Sequence, residues 1–214
     1  MCLGTATLNL NPDPAPTGMH HEWDVKLGGS SITGFPGTTA PVASNFATAG
    51  SYTITMSTVL DAPDPAACTP DNAVYTLNVL PDLSASLGAA TNSGTYCTSS
   101  GATSATTLTA SSVLPAYATD LETETTYTVT QKIGAGAATP VTSSDFGTIG
   151  ASSYTLTTTV VGEYKITATV KYKQTASNTL NPLINSSGCP KSSNEITVTV
   201  TAKPTKPTIT FSGS

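Results

Sequence analysis

The chain has 214 residues, of which only 10% are charged, and a formal net charge of -5. An average soluble domain carries about 25% charged residues, but the 38% hydrophobic content and modest net charge exclude a disordered chain. All eight basic residues are Lys, and Arg, which forks onto phosphates and guanine edges, is missing. That acidic, Arg-free balance excludes nucleic acid and anionic membrane as partners. No apolar run approaches the ~20 residues that a membrane-spanning helix needs, and no membrane insertion is expected.

Thr and Ser supply the polarity instead, at roughly a third of the chain. Thr is β-branched and suits the wet face of a strand, so a Thr-rich chain with many Gly and Pro predicts short strands joined by turns. In chain order, Cys2 precedes an alternation of Ala6, Leu8 and Leu10. Met1 leads directly into Cys2 and turn residues, so any export signal is expected outside this sequence. A strand follows in which Trp23, Val25 and Leu27 alternate with Glu22, Asp24 and Lys26. Next come Gly50-Ser51-Tyr52-Thr53-Ile54-Thr55, a Pro-rich loop holding Cys68, and the strand Asn72 to Val79.

The same order then recurs. Cys97 precedes Leu108 and Ala110, Tyr127 stands where Trp23 stood, and Gly162-Glu163-Tyr164-Lys165-Ile166-Thr167 repeats the Gly-x-Tyr strand. Cys189 leads into Ile196, Val198 and Val200, alternating with Thr. Leu83 to Gly88 forms a leading strand before Cys97, and Thr208 to Ser214 resembles the start of another unit. Repeat 1 is expected at 1–80, lacking its leading strand, and repeat 2 at 81–202. Residues 203–214 form a linker and a further leading strand. Period-2 strands with one wet and one dry face predict an all-β fold of two tandem antiparallel β-sandwiches, Ig-like or PKD-like. Four Cys allow three connectivities. Cys2–Cys68 with Cys97–Cys189 keeps each bridge inside one repeat and predicts one disulfide per sandwich, in an oxidising compartment.

The final strand, the Pro204-Thr205-Lys206-Pro207 linker, the new Thr-Ile-Thr-Phe-Ser-Gly-Ser start and the Gly188-Cys189 turn resemble tandem repeats of large Bacteroidota surface proteins. These are the gliding-motility and type IX-secreted adhesins with PKD-like or Ig-like modules. The resemblance implies a secreted structural or adhesive module at the bacterial cell surface, acting as stalk, filament or spacer. It covers the whole chain at the level of pattern, with two departures: long insertions before each second Cys, and no Gly beside Cys68.

Trp23 and Tyr127 are expected in the sandwich cores. Tyr52 and Tyr164 are expected to be buried rings whose hydroxyls tie down a neighbouring loop, as in a tyrosine corner. His20, His21 and Glu22 read as a turn into the Trp23 strand, since neighbours in a strand point to opposite faces. No cofactor is expected. Asp61, Asp64 and Asp71 around Cys68 are weak Ca²⁺ candidates, and their spacing matches no EF-hand loop. Gly134 to Ala138 lacks the third Gly of a dinucleotide loop and reads as a hairpin. No acid–base pair, nucleophile or metal set points to an enzyme. The alternative is a carbohydrate-binding module of a larger secreted enzyme, which would need a row of exposed aromatics. The partners expected are neighbouring repeats or head-to-tail copies, in addition to an unknown surface or glycan ligand. The alternating Ile209 and Phe211 could be donated as a strand to the open edge of the next copy.

Overall fold

The computed structural model describes residues 1–4, 7–62, 72–98, 103–111, 114–177, 183 and 187–210. The chain forms two compact units. Unit 1 takes in residues 1–82, 113–122 and 172–189; unit 2 takes in 83–112, 123–171 and 190–214.

Unit 1 is built on a four-stranded sheet in the order β2-β1-β3-β4, with β1 Met19–Leu27, β2 Ser30–Ser31, β3 Gly50–Leu60 and β4 Ala73–Val79. The β1–β2 turn needs two left-handed residues, and Gly28 (φ 59°) and Gly29 (φ 87°) supply them. β1 and β3 pair antiparallel over nine residues, from Met19↔Leu60 to Leu27↔Tyr52. The inward face carries Trp23, Val25, Tyr52, Ile54, Leu77 and Val79, all buried. Met1–Leu3 runs parallel to the end of β4: Leu80 N–H donates to Met1 O at 2.7 Å, and Leu3 N–H to Leu80 O at 3.0 Å.

Among the described residues of unit 1, no second hydrogen-bonded sheet faces the first. Leu8 and Leu10 lie against the core from an extended segment, joined by Ile32, Phe35 and Ala40 from the β2–β3 connection. The reason is in the sequence. Pro12, Pro14, Pro16 and Pro36 remove ladder donors where that sheet would lie.

Unit 2 holds two sheets. One has the order β10-β11-β7-β5, from β5 Ser84–Leu87, β7 Ser104–Ser111, β10 Gly147–Ile149 and β11 Ser153–Leu156. The other runs β6-β14-β12-β8-β9, from β6 Thr95–Cys97, β8 Leu121–Lys132, β9 Thr139–Val141, β12 Gly162–Gln174 and β14 Ile196–Thr201, with β13 Lys191–Ser192 beside β12. β6 pairs parallel with β14, through Val200↔Tyr96 and Thr201↔Cys97. β12 alternates without a break: Tyr164, Ile166, Ala168 and Val170 are all fully buried, and the Glu, Lys and Thr between them face outward. The leading strand β5 pairs antiparallel with β7. Its end is held by the Asn194 side chain, which accepts from Leu87 N–H at 2.8 Å and donates to Leu87 O at 3.0 Å.

The two units share a frame that can be read residue by residue. Gly50↔Val79 and Tyr52↔Leu77 in unit 1 match Gly162↔Val200 and Tyr164↔Val198 in unit 2. Cys2 beside Leu80 matches Cys97 beside Thr201.

Candidate functional site

A disulfide and a set of tyrosine hydroxyls tie the chain together within the units. The disulfide differs from the expected pairing. Cys2 is bonded to Cys189, with Cα atoms 5.7 Å apart. Neither Cys2–Cys68 nor Cys97–Cys189 is therefore formed, and the expectation of one bridge inside each sandwich is corrected. The turn explains why. Gly188 (φ 74°) and Cys189 (φ 55°) are both left-handed, and Tyr172 N–H donates to Gly188 O at 2.6 Å. A Cβ on Gly188 would collide with the Tyr172 carbonyl oxygen. The turn is thus folded back on Tyr172 and presents Cys189 to Cys2, both within unit 1. Cys97 is half-buried at the end of β6, and Cys68 lies outside the described residues.

The tyrosines do the local tying. Tyr52 donates its hydroxyl to Thr48 O and Tyr164 its hydroxyl to Val160 O, each four residues back and each at 2.8 Å. Gln131 Nε2 adds a donor to the Tyr164 hydroxyl at 2.6 Å. Trp23 is buried, and its backbone pairs with Gly37 at 2.7 and 2.9 Å. Tyr127 is buried against Tyr154, ring centroids 5.5 Å apart, and its hydroxyl has no hydrogen-bond partner. Burial raises the Tyr127 phenol pKa, and it pushes Tyr96 and Tyr154 up to about 12.

Two further tyrosines were not singled out from the sequence. In unit 1 the Tyr117 hydroxyl donates to Val79 O at 2.9 Å, Asn78 Nδ2 donates to Tyr117 O at 3.1 Å, and the Tyr172 hydroxyl donates to Pro81 O at 3.0 Å. Tyr117 and Tyr172 thus close the end of the sheet where β4 finishes. The available signal was their polarity: a Tyr inside Pro115-Ala116-Tyr117-Ala118 has no strand to belong to, so its ring and hydroxyl need a partner elsewhere.

Asp61 accepts from His20 Nδ1 at 2.8 Å on an exposed surface. Asp64 and Asp71 lie outside the described residues, and no group of three potential ligands forms among the described ones. Ile209 is 77% exposed in the extended segment after β14, and Phe211 lies outside the described residues.

The fold defines a class: a mostly-β chain of several sheets resembling tandem immunoglobulin-like domains. No protein-family model matches the sequence, and no curated protein matches it. Among solved structures, the chain is similar to the three N-terminal domains of the highly immunogenic outer capsid protein (Hoc) of bacteriophage RB49. The TM-score is 0.52 at 10% identity, covering 86% of this chain and 59% of that one. It also matches a Ca²⁺-stabilized adhesin that helps an Antarctic bacterium reach out and bind ice, at TM-score 0.30 and 13% identity, over 86% of this chain and 41% of the adhesin chain. The chain therefore spans about three-fifths and two-fifths of these structures. At 10% identity the likeness to the capsid protein is one of fold.

Proposed function

We propose that the chain is a structural and adhesive repeat module of a large secreted cell-surface protein, serving as stalk, filament or spacer. The observation that carries this reading is the make-up of unit 1. It gathers residues 1–82 with 113–122 and 172–189 and closes them with Cys2–Cys189. Separate stretches of a repeating sequence are thereby locked into one compact body, which suits a projecting array. A disulfide also belongs to an oxidising, extracellular setting. The repeats in this reading are 1–80 and 81–202, with 203–214 leading into a further unit. The kinship is with the Bacteroidota gliding and type IX-secreted adhesins, and the partners are further repeats or head-to-tail copies. β5 gives the pattern for a leading strand: residues 208–211, with Ile209 and Phe211, would add to a neighbouring unit as β5 adds to β7.

The sugar-binding alternative needs aromatics in a row on the surface. Tyr75 on β4 is 57% exposed, whereas Trp23, Tyr52, Tyr96, Tyr127, Tyr154, Tyr164 and Tyr172 are all buried. The test is surface labelling. Antibody raised against the chain should decorate intact source cells, and brief protease treatment of those cells should remove the signal. Labelling only after lysis would overturn the proposal.

A further inference from the structure

The chain has eight Lys and no Arg, so a protease whose specificity pocket takes a cation has eight bonds to try. All eight Lys lie among the described residues, and they fall into two groups. Six stand in strands: Lys26 in β1, Lys132 in β8, Lys165, Lys171 and Lys173 in β12, and Lys191 in β13. The other two, Lys203 and Lys206, stand in the exposed, extended stretch after β14, and each is followed directly by Pro. The long connections at 7–18, 32–49, 114–120 and 133–138 carry no Lys, nor does the stretch 61–72 around Cys68. Exposed connections are where proteases ordinarily cut. In this chain they hold no basic residue except in front of a Pro.

Each placement has its own physical effect. A protease takes its substrate as a free extended segment, so a Lys inside a ladder is reached only after local unfolding. Lys26 is paired on both edges of its strand, to Thr53 and to Ser31. β12 runs between β14 and β8, and its Lys165, Lys171 and Lys173 are ion-paired to Glu195, Glu124 and Glu122 at 2.7, 2.8 and 3.6 Å. Lys132 ends β8, and its carbonyl, the one a protease would attack, lies so close to Gly162 that a Cβ there would stand 2.8 Å from it. Lys191 comes two residues after the bridged Cys189, and Ser193 N–H beyond it donates to Ala168 O at 2.8 Å. Lys203 and Lys206 have no such ladder, and there the following Pro acts instead. A serine protease must hand a proton to the leaving nitrogen. In a Lys-Pro bond that nitrogen carries the pyrrolidine ring, which crowds the approach of the proton donor.

We propose that the folded module withstands proteases that cut after basic residues, with Pro204 and Pro207 as the residues that protect its exposed linker. The partner it is shaped against is an extracellular protease of trypsin-like specificity. This goes beyond the repeat-module function proposed above: it names an enzyme class that the module meets in service. The protease used to strip intact cells must accordingly be one that cuts elsewhere, such as subtilisin.

The test is timed digestion of the whole oxidised chain by trypsin and, separately, by subtilisin, with the cut sites read by mass spectrometry. Subtilisin should cut the wild-type linker within 202–210, which shows that the linker is open to a protease. Trypsin should leave the wild-type chain at full length over the same period. Replacing both prolines, Pro204→Ser with Pro207→Ser, should raise the rate of tryptic cleavage after Lys203 and Lys206 by about tenfold or more. Ala135→Lys places an unprotected Lys in the exposed turn after β8 and should be cut there. All three substituted positions are exposed, so unchanged circular dichroism and melting identify a variant that has kept its fold. Tryptic cleavage of the wild type at any of the eight Lys, at the rate seen for the proline variant, overturns the proposal. So does a proline variant or an Ala135→Lys chain that trypsin leaves whole, because the resistance would then not come from where the Lys stand. A linker that subtilisin also spares overturns it as well, since its prolines would have nothing to protect. Digestion of the purified chain does not depend on surface labelling of intact cells, so the two proposals fail separately.

Discussion

The hydroxyls of Tyr164 and Tyr127 are in opposite situations on two neighbouring strands of unit 2. That of Tyr164 donates to Val160 O and accepts from Gln131. That of Tyr127 is buried with no partner. A net hydrogen bond is worth about 1 kcal/mol, and an unmet buried polar group costs about 1–3 kcal/mol. Tyr164→Phe should therefore destabilise by about 1–2 kcal/mol, since it strands the Val160 carbonyl and the Gln131 amide. Tyr127→Phe keeps the ring and removes only the unmet hydroxyl, so it should be neutral or stabilising. Urea titrations of the two variants check the sign of the difference. The buried phenols also set an alkaline limit. Tyr96 and Tyr154 are pushed up to about 12 from an ordinary 10 by burial. Between these values the unfolded chain has lost the protons that the folded chain keeps, so stability falls as pH rises. It is fully present below pH 10, and thermal melts should decline from pH 10 upward.

At the scale of the element, the Gly188-Cys189 turn decides the covalent structure. Adding a Cβ at Gly188 brings a left-handed strain together with a clash against the Tyr172 carbonyl. Gly188→Ala should therefore leave a measurable fraction of Cys2 and Cys189 as thiols, read by alkylation and non-reducing peptide mapping. A full yield of the Cys2–Cys189 peptide would show that the turn does not guide the pairing. The strands around this turn were legible because period 2 is a local property. Tyr164, Ile166, Ala168 and Val170 share a face in any sheet. The pairing was not legible, because it depends on which distant segments pack together. The order of Cys in the repeat suggests bridges inside each repeat, yet unit 1 takes its second Cys from residue 189. The second layer of unit 1 escaped for a related reason. Leu8 and Leu10 alternate like a strand and are partly buried, but the prolines that follow leave the segment outside any sheet. Tyr117 and Tyr172 carried no motif, and only their carbonyl acceptors at Val79 and Pro81 give them a role.

At the scale of the whole molecule, the bridge alters how the chain bears tension. Cys2 and Cys189 are separated by 187 positions, so residues 3–188 lie inside one covalent loop. On a chain-entropy argument, closing a loop of that size stabilises the fold by up to about 5 kcal/mol. Its mechanical effect is larger. A pull applied before Met1 and after Ser214 reaches Cys2, crosses to Cys189, and continues through β14, so the covalent path does not run through residues 3–188. Only the stretch beyond Cys189, roughly 25 residues, can then be drawn out. At about 3.5 Å per residue that releases about 90 Å. With the bridge reduced, the whole chain of 214 residues is available, and the limit rises to about 750 Å. Single-molecule pulling of the chain between handles at its two ends should therefore show short extensions, turning into long ones when reductant is added. Cys2→Ser should give the long extensions without reductant. Release of several hundred ångströms from the oxidised chain would mean that tension does not cross at Cys2–Cys189. A stalk made of such modules would lengthen little under load, because only β13 and β14 lie beyond the bridge and residues 3–188 are held inside the covalent loop.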